Sequence, residues 1–318
     1  MPAMLLPEIA AVAAAHRGVF LRPHALAAGY TDDEIRRFHS TKEWHRVRRG
    51  AYCEAVVWKA ADEPERHRMR VHAALMVLHE PAVVSHQSAA VVLGLTLWGA
   101  PLDLVHVTRT DLHSPRIEGG IHHHAGALES GDVLVVDGLP VTSAARTAVD
   151  VAREHGAEVG LVTADSAVAR PDCSVGQLRA TAARLSDWRG ARAAGRVASM
   201  ADPRSESAAE SRFRYLWYLA GGPELDLQVE VTVGGVVIAR LDALDFDGNT
   251  AHEIDGRVKY DGVDGRDVVW QEKLRQDAVH RVGLAVERWV WADIERRERT
   301  AARMRAVWRC ARGWRGTA

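Results

Sequence analysis

Three acids stand in segments that otherwise read as sheet core: Asp242, Glu253 and Asp255. Charged side chains are depleted from strands that cover a core. Yet Asp242 closely follows the apolar run Val236-Val237-Ile238-Ala239, with Arg240 two residues before it. Glu253 and Asp255 are two apart, which on a strand sets both carboxylates on one face. A turn at Asp247-Gly248 joins the two segments, so Asp242 can lie beside Glu253 across the ladder. Three carboxylates on one face repel unless a cation or protons neutralise them. Hard divalent ions such as Mg²⁺ (or Mn²⁺) take oxygen ligands of this kind. Such an ion activates water and stabilises a phosphodiester transition state.

The elements that must carry these acids are legible around them. Ser207 and Glu210 have capping-box spacing and open a helix to about Leu219, which Gly221-Gly222-Pro223 ends. Leu227 to Val233 alternates as a strand, Gly234-Gly235 is a two-residue hairpin turn, and Val236 to Leu244 returns. Thr250 to Asp255 forms a third strand, a helix comes next over about 267–281, and Leu284 to Trp291 forms a fourth strand. The last stretch, Asp293 to Ala318, holds eight arginines and three acids and reads as a helix.

This order, with Asp242 and the Glu253-Ile254-Asp255-Gly256 segment, resembles the PD-(D/E)XK nuclease superfamily, in its branch related to very-short-patch-repair endonucleases. The likeness spans residues 205–310. It implies a restriction-endonuclease-like αβββαβ domain with Asp242 and Glu253 as metal acids and Glu210 as the helix glutamate. Where the superfamily has a lysine two residues after the second acid, this chain has Asp255. Lys259 and Lys273 are the lysines within the region that could meet the scissile phosphate instead, with Arg275 and Asp277 as further candidates. Plainer readings stand beside these. Glu210 serves equally as the partner of Ser207, Lys273 and Asp277 as an i, i+4 ion pair, and Asp255-Gly256 as a turn.

The other charged feature lies near the N-terminus. Between Arg36 and Arg49 there are six basic residues and one acid, Glu43, in a chain whose net charge is −1. Pro23 suits the first turn of a helix that stops at Gly29, and Thr31 with Glu34 caps a helix over about 32–40. His45 to Tyr52 alternates as a hairpin turning at Gly50. Helix, turn, helix and basic hairpin is the order of a winged helix-turn-helix. In that reading Arg36, Arg37, His39 and Lys42 lie on or after the recognition helix, and Arg46, Arg48 and Arg49 decorate the wing and meet DNA phosphates. A solvated basic face is the plainer reading. Gly18-Val19-Phe20, Ala25 to Gly29 and Trp44 to Tyr52 resemble the winged-helix domain of type IV AbiEi-family antitoxins. Ser85 to Ala90 is similar to the segment C-terminal to that domain in the same family. That resemblance implies DNA binding, self-repression and a cognate toxin as partner.

Between these regions the sequence predicts a mostly helical segment with a few strands, near Leu104–Thr108 and before a helix that begins after Val141-Thr142-Ser143. His122-His123-His124 does not read as a metal site, because consecutive strand residues point to opposite faces. A surface or strand-end role is expected for that run. The 318 residues are 47% hydrophobic and 26% charged, which suits a folded chain of mixed α/β class. Breaks at Asp62-Glu63-Pro64 and Ala201-Asp202-Pro203 divide it into 1–60, 61–200 and 201–318. No apolar run is long enough for a membrane span, and the apolar stretch from Leu5 to Ala15 lacks the preceding basic residues of a signal peptide. Cys53, Cys173 and Cys310 fit neither a disulfide framework nor a zinc spacing, so a reducing cytoplasm is expected. The expected activity is Mg²⁺-dependent phosphodiester hydrolysis on DNA. The alternatives are a non-catalytic, antitoxin-like transcriptional regulator and an RNA-directed nuclease.

Overall fold

The computed structural model describes residues 5–78, 81–245, 249–255 and 279–314, with side chains to residue 309. It is a mixed α/β protein that divides into two compact units, Met1–Glu154 and His155–Ala318. Neither sequence break, near 60 or near 200, coincides with the junction between the units.

The first unit begins with α1 (Pro7–Ala15), β1 (Phe20–Leu21), α2 (Arg22–Ala27) and α3 (Asp32–Ser40), then the hairpin β2 (Trp44–Arg48) and β3 (Ala51–Glu54). Thr31 caps α3 as its spacing predicts: its hydroxyl accepts from Glu34 N, and the Glu34 carboxylate accepts from Thr31 N at 2.8 Å. Such a cap stabilises a helix by about 1 kcal/mol. Gly50 turns the hairpin at φ +78°, a conformation that costs glycine nothing. The strands order as β1-β3-β2. Ile9, Phe20, Ile35, Phe38 and Trp44 form the core beneath them, with the Phe20 and Phe38 rings 4.7 and 4.9 Å from Trp44. Centroid separations of this size are those favoured by aromatic pairs.

The unit continues through α4 (Ala55–Ala60), α5 (Glu63–Leu75), β4 (Val83–Val84), α6 (His86–Leu93), β5 (Val105–Arg109), β6 (Arg116–Glu118), β7 (Ile121–Ala125), β8 (Val133–Val136), β9 (Leu139–Thr142) and α7 (Ala144–His155). Here the sheet is larger than the few strands expected, with six in the order β6-β7-β5-β4-β9-β8. Its strands are two to five residues long, too short for alternation to announce them. Ser85 precedes α6 but makes no side-chain cap; its hydroxyl lies 3.0 Å from His86 Nδ1 instead.

The second unit opens with four helices, α8 (Ala157–Val168), α9 (Val175–Arg184), α10 (Ala191–Met200) and α11 (Ala208–Leu219). A sheet comes next: β10 (Asp226–Val233), β11 (Val236–Asp245), β12 (Thr250–Asp255) and β13 (Ala285–Val290), ordered as numbered. The first three strands pair antiparallel and β12 pairs β13 in parallel. Gly234 and Gly235 both have positive φ, as a two-residue hairpin turn requires. Last come α12 (Trp291–Glu295) and α13 (Arg297–Trp314). Phe213, Leu216 and Trp217 of α11 pack on Ala243, Ile254 and Trp289, so α11 covers one sheet face. Leu241, Leu244, Ala251 and Val279 form a second cluster. Among the described residues no helix is long and apolar enough to cross a membrane.

Candidate functional site

Alternation along β12 sends His252 and Ile254 toward α11 and Glu253 and Asp255 to the opposite face. The β11–β12 pairing ends at Ala243–His252, which leaves Asp242 and Glu253 as the next facing positions. Asp242 then takes over the ladder with its side chain: the Ile254 N–H donates to Asp242 Oδ2 at 2.8 Å. The expected neighbourhood of these two acids is therefore present. Glu253 is buried, Asp242 half-buried and Asp255 exposed.

The cation beside them is Arg288, which sequence reasoning missed. Parallel pairing sets Arg288 directly opposite Glu253. Its Nη2 donates to Glu253 Oε2 at 2.8 Å, and its Nε lies 3.5 Å from Asp255 Oδ2. One guanidinium thus serves both acids of the E-x-D pair. A buried carboxylate needs such a partner, since an unpaired one carries a cost of several kcal/mol. The partner comes from the far side of the segment between β12 and β13, so no short motif could reveal it. The lysine substitutes Lys259 and Lys273, with Arg275 and Asp277, lie outside the described residues. So do the Asp247-Gly248 turn and all but the last turn of the helix expected over 267–281.

Glu210 sits at the start of α11 and is buried. Ser207 Oγ donates to its Oε1 at 2.6 Å, while Glu206 N and Gln228 Nε2 donate to Oε2 at 2.9 and 3.1 Å. The carboxylate reaches back to the backbone of Glu206 rather than of Ser207, one residue earlier than a capping box requires. Beneath the acids, the Trp289 indole donates to His252 Nδ1 at 3.1 Å, and burial pushes that imidazole's pKa down to about 3. His252 is therefore a neutral member of the core.

In the first unit, Arg36, Arg37, His39, Lys42, Arg46 and Arg49 are exposed. Arg36 pairs with Asp33, and the Arg37 guanidinium lies 4.9 Å from the Phe38 ring centroid. Arg48 departs from the rest: it is half-buried, its Nη2 donates to the Gly119 carbonyl at 3.3 Å, and desolvation lowers its pKa. Its charge is spent on the β6–β7 turn.

Within the histidine run His123 is buried and His122 and His124 are half-buried. His123 is 2% exposed on one face of β7, whereas His122 and His124 share the other with His106 of β5. Among the described residues, His86, His106 and His124 are the group whose three ligand-type atoms lie within 4.8 Å of one another. The three acids of the second unit do not form such a group. Cys53 and Cys173 are buried, and burial pushes their thiols up to about 12 and about 11, so both are inert at neutral pH.

No protein-family model matches the chain, and no curated protein matches it.

Proposed function

We propose that the protein binds DNA through the basic face of its first unit and hydrolyses phosphodiesters at the Asp242–Glu253 site of its second. The observation that carries this reading is the facing pair of acids on the two central strands, with Arg288 beside them. Two carboxylates, one of them buried, are hard oxygen donors of the kind Mg²⁺ or Mn²⁺ takes. The ion would supply activated water and charge neutralisation at the phosphate. Asp242 and Glu253 would hold it, with Asp255 at the rim of the site. Arg288 is 41% exposed at its side chain and can turn from Glu253 toward a phosphate, the task Lys259 or Lys273 would share. Arg36, Arg37, Lys42, Arg46 and Arg49 would draw the duplex by phosphate contacts.

The same arginine favours a second reading. Arg288 already pairs with Glu253 and, at longer range, Asp255 without an ion, as it would in an idle nuclease-type fold serving a DNA-binding regulator with a cognate toxin. Supercoiled plasmid separates the two. Full-length protein with Mg²⁺ or Mn²⁺ is expected to nick it, and Asp242→Ala or Glu253→Ala to slow nicking by about 10²–10³-fold. Metal-independent binding with no cleavage of plasmid, linear duplex or single strand would establish the regulator.

A further inference from the structure

We propose that His86, His106 and His124 form a binding site for a divalent transition-metal ion of the zinc class, in the first unit and independent of the acidic site. Imidazole nitrogens are the ligands that Zn²⁺ and its neighbours prefer, and carboxylates are those of Mg²⁺, so the two sites would sort ions by donor type. Three elements converge to make the cluster: the first residue of α6, the second of β5 and the fourth of β7. His106 and His122 face each other across the parallel ladder, and His124 stands two residues on, above Thr108. The His86 ring stacks on His124 at 3.7 Å, and His106 Nδ1 lies 2.9 Å from His124 Nε2.

The backbone is bent to achieve this. His86 has φ +53°, a left-handed conformation that strains a non-glycine residue. The His86 ring lies against His106 and His124. His86 is buried and His124 half-buried beside it, so both imidazoles stand largely out of bulk water. The charged groups that face the cluster are Arg146 and Arg153, which pair with Asp132 and Asp150. Those pairings reduce the positive charge that an incoming dication would meet.

The supporting contacts fit the assignment. His86 Nδ1 is engaged by Ser85 Oγ, which leaves Nε2 as its ligand atom. Gln87 Nε2 lies 2.8 Å from His106 Nε2 and donates to it, so the imidazole proton sits on Nδ1, toward His124. An ion takes that proton's place. The proton passes to Nε2, and the Gln87 amide turns over to accept it through Oε1, with no net proton released. Such an outer acceptor orients most metal-bound histidines. Nitrogens held about 2.0–2.1 Å from a tetrahedral ion lie roughly 3.3 Å apart, so the His106–His124 pair opens by a few tenths of an ångström and the His86–His124 stack splays. Three imidazoles leave one position for water.

The test uses full-length protein stripped with chelator and titrated with Zn²⁺, and with Co²⁺ for its visible absorption. One equivalent should bind, and should still bind in the Asp242→Ala/Glu253→Ala variant. His124→Gln and His106→Gln should each weaken it by more than about a hundredfold, and Gln87→Ala by about ten- to a hundredfold, while His113→Gln at an exposed position leaves it unchanged. X-ray absorption on the unsubstituted Zn²⁺-loaded protein gives a readout that does not depend on variants folding, and should show imidazole scattering with ligands near 2.0 Å. No stoichiometric binding, binding indifferent to the histidine variants, or a coordination shell without imidazole would each overturn the proposal.

Discussion

Two buried polar clusters, one in each unit, are neutralised in opposite ways. In the first unit, burial keeps His67 uncharged and hydrogen bonds satisfy both of its ring nitrogens. His67 donates from Nδ1 to the Leu102 carbonyl at 3.0 Å and accepts at Nε2 from Ser88 Oγ at 2.8 Å, and the same hydroxyl accepts from His106 N. In the second, Glu253 stays beside a charged partner, Arg288, that reaches it from solvent. A neutral network answers to pH, whereas a charged pair answers to loss of its partner. The difference also separates the donors each cluster offers: imidazole nitrogens in one, hard carboxylate oxygens beside an arginine in the other.

The largest expected effect breaks the comparison by acid. Burial lowers His67 and His72 to about 4, against 6.5 in the unfolded chain. Below pH 6.5 the unfolded state therefore binds protons that the folded state refuses. The stability present above pH 6.5 is lost as pH falls toward 4. At pH 5 the loss is about 2 kcal/mol for each such histidine. Among the described residues the second unit has one fully buried counterpart, His252. Hydrogen exchange followed by mass spectrometry between pH 7 and 4 should show the first unit opening before the second. Simultaneous opening would sink the distinction.

Next in size is removal of the charged partner. Arg288→Ala leaves Glu253 buried without its guanidinium and should cost about 1–3 kcal/mol in urea denaturation, with Arg288→Lys recovering part of it. A neutral result would mean that Glu253 is held by other groups. The smallest effect distinguishes solvated from engaged charge within the first unit. Arg46→Ala and Arg49→Ala should each reduce the slope of log K against log salt for duplex DNA by about 1, and Arg48→Ala should leave it unchanged. Equal changes at all three positions would return Arg48 to the proposed DNA-facing set.

Local signals proved readable wherever the interaction is local. Thr31 and Glu34 announce α3, Gly234-Gly235 announces the β10–β11 turn, and the Glu253–Asp255 spacing fixes their shared face. Each depends on contacts within a few residues, which composition and spacing encode directly. The six-stranded sheet escaped because its strands are shorter than the window in which a period can be recognised.

By itself the sequence determined that Glu253 and Asp255 share one face of a strand, with Asp242 on the strand before. Tertiary structure alone decided their company. Arg288 reaches Glu253 through a parallel pairing whose register depends on the packing of Trp289 and Ile254 on α11, far from both in sequence. It likewise drew His124 out of a run that spacing alone had set aside, and joined it to His86 and His106 from other elements. Side-chain period is a property of one strand, whereas a site drawn from several elements exists only once long-range packing has set their registers.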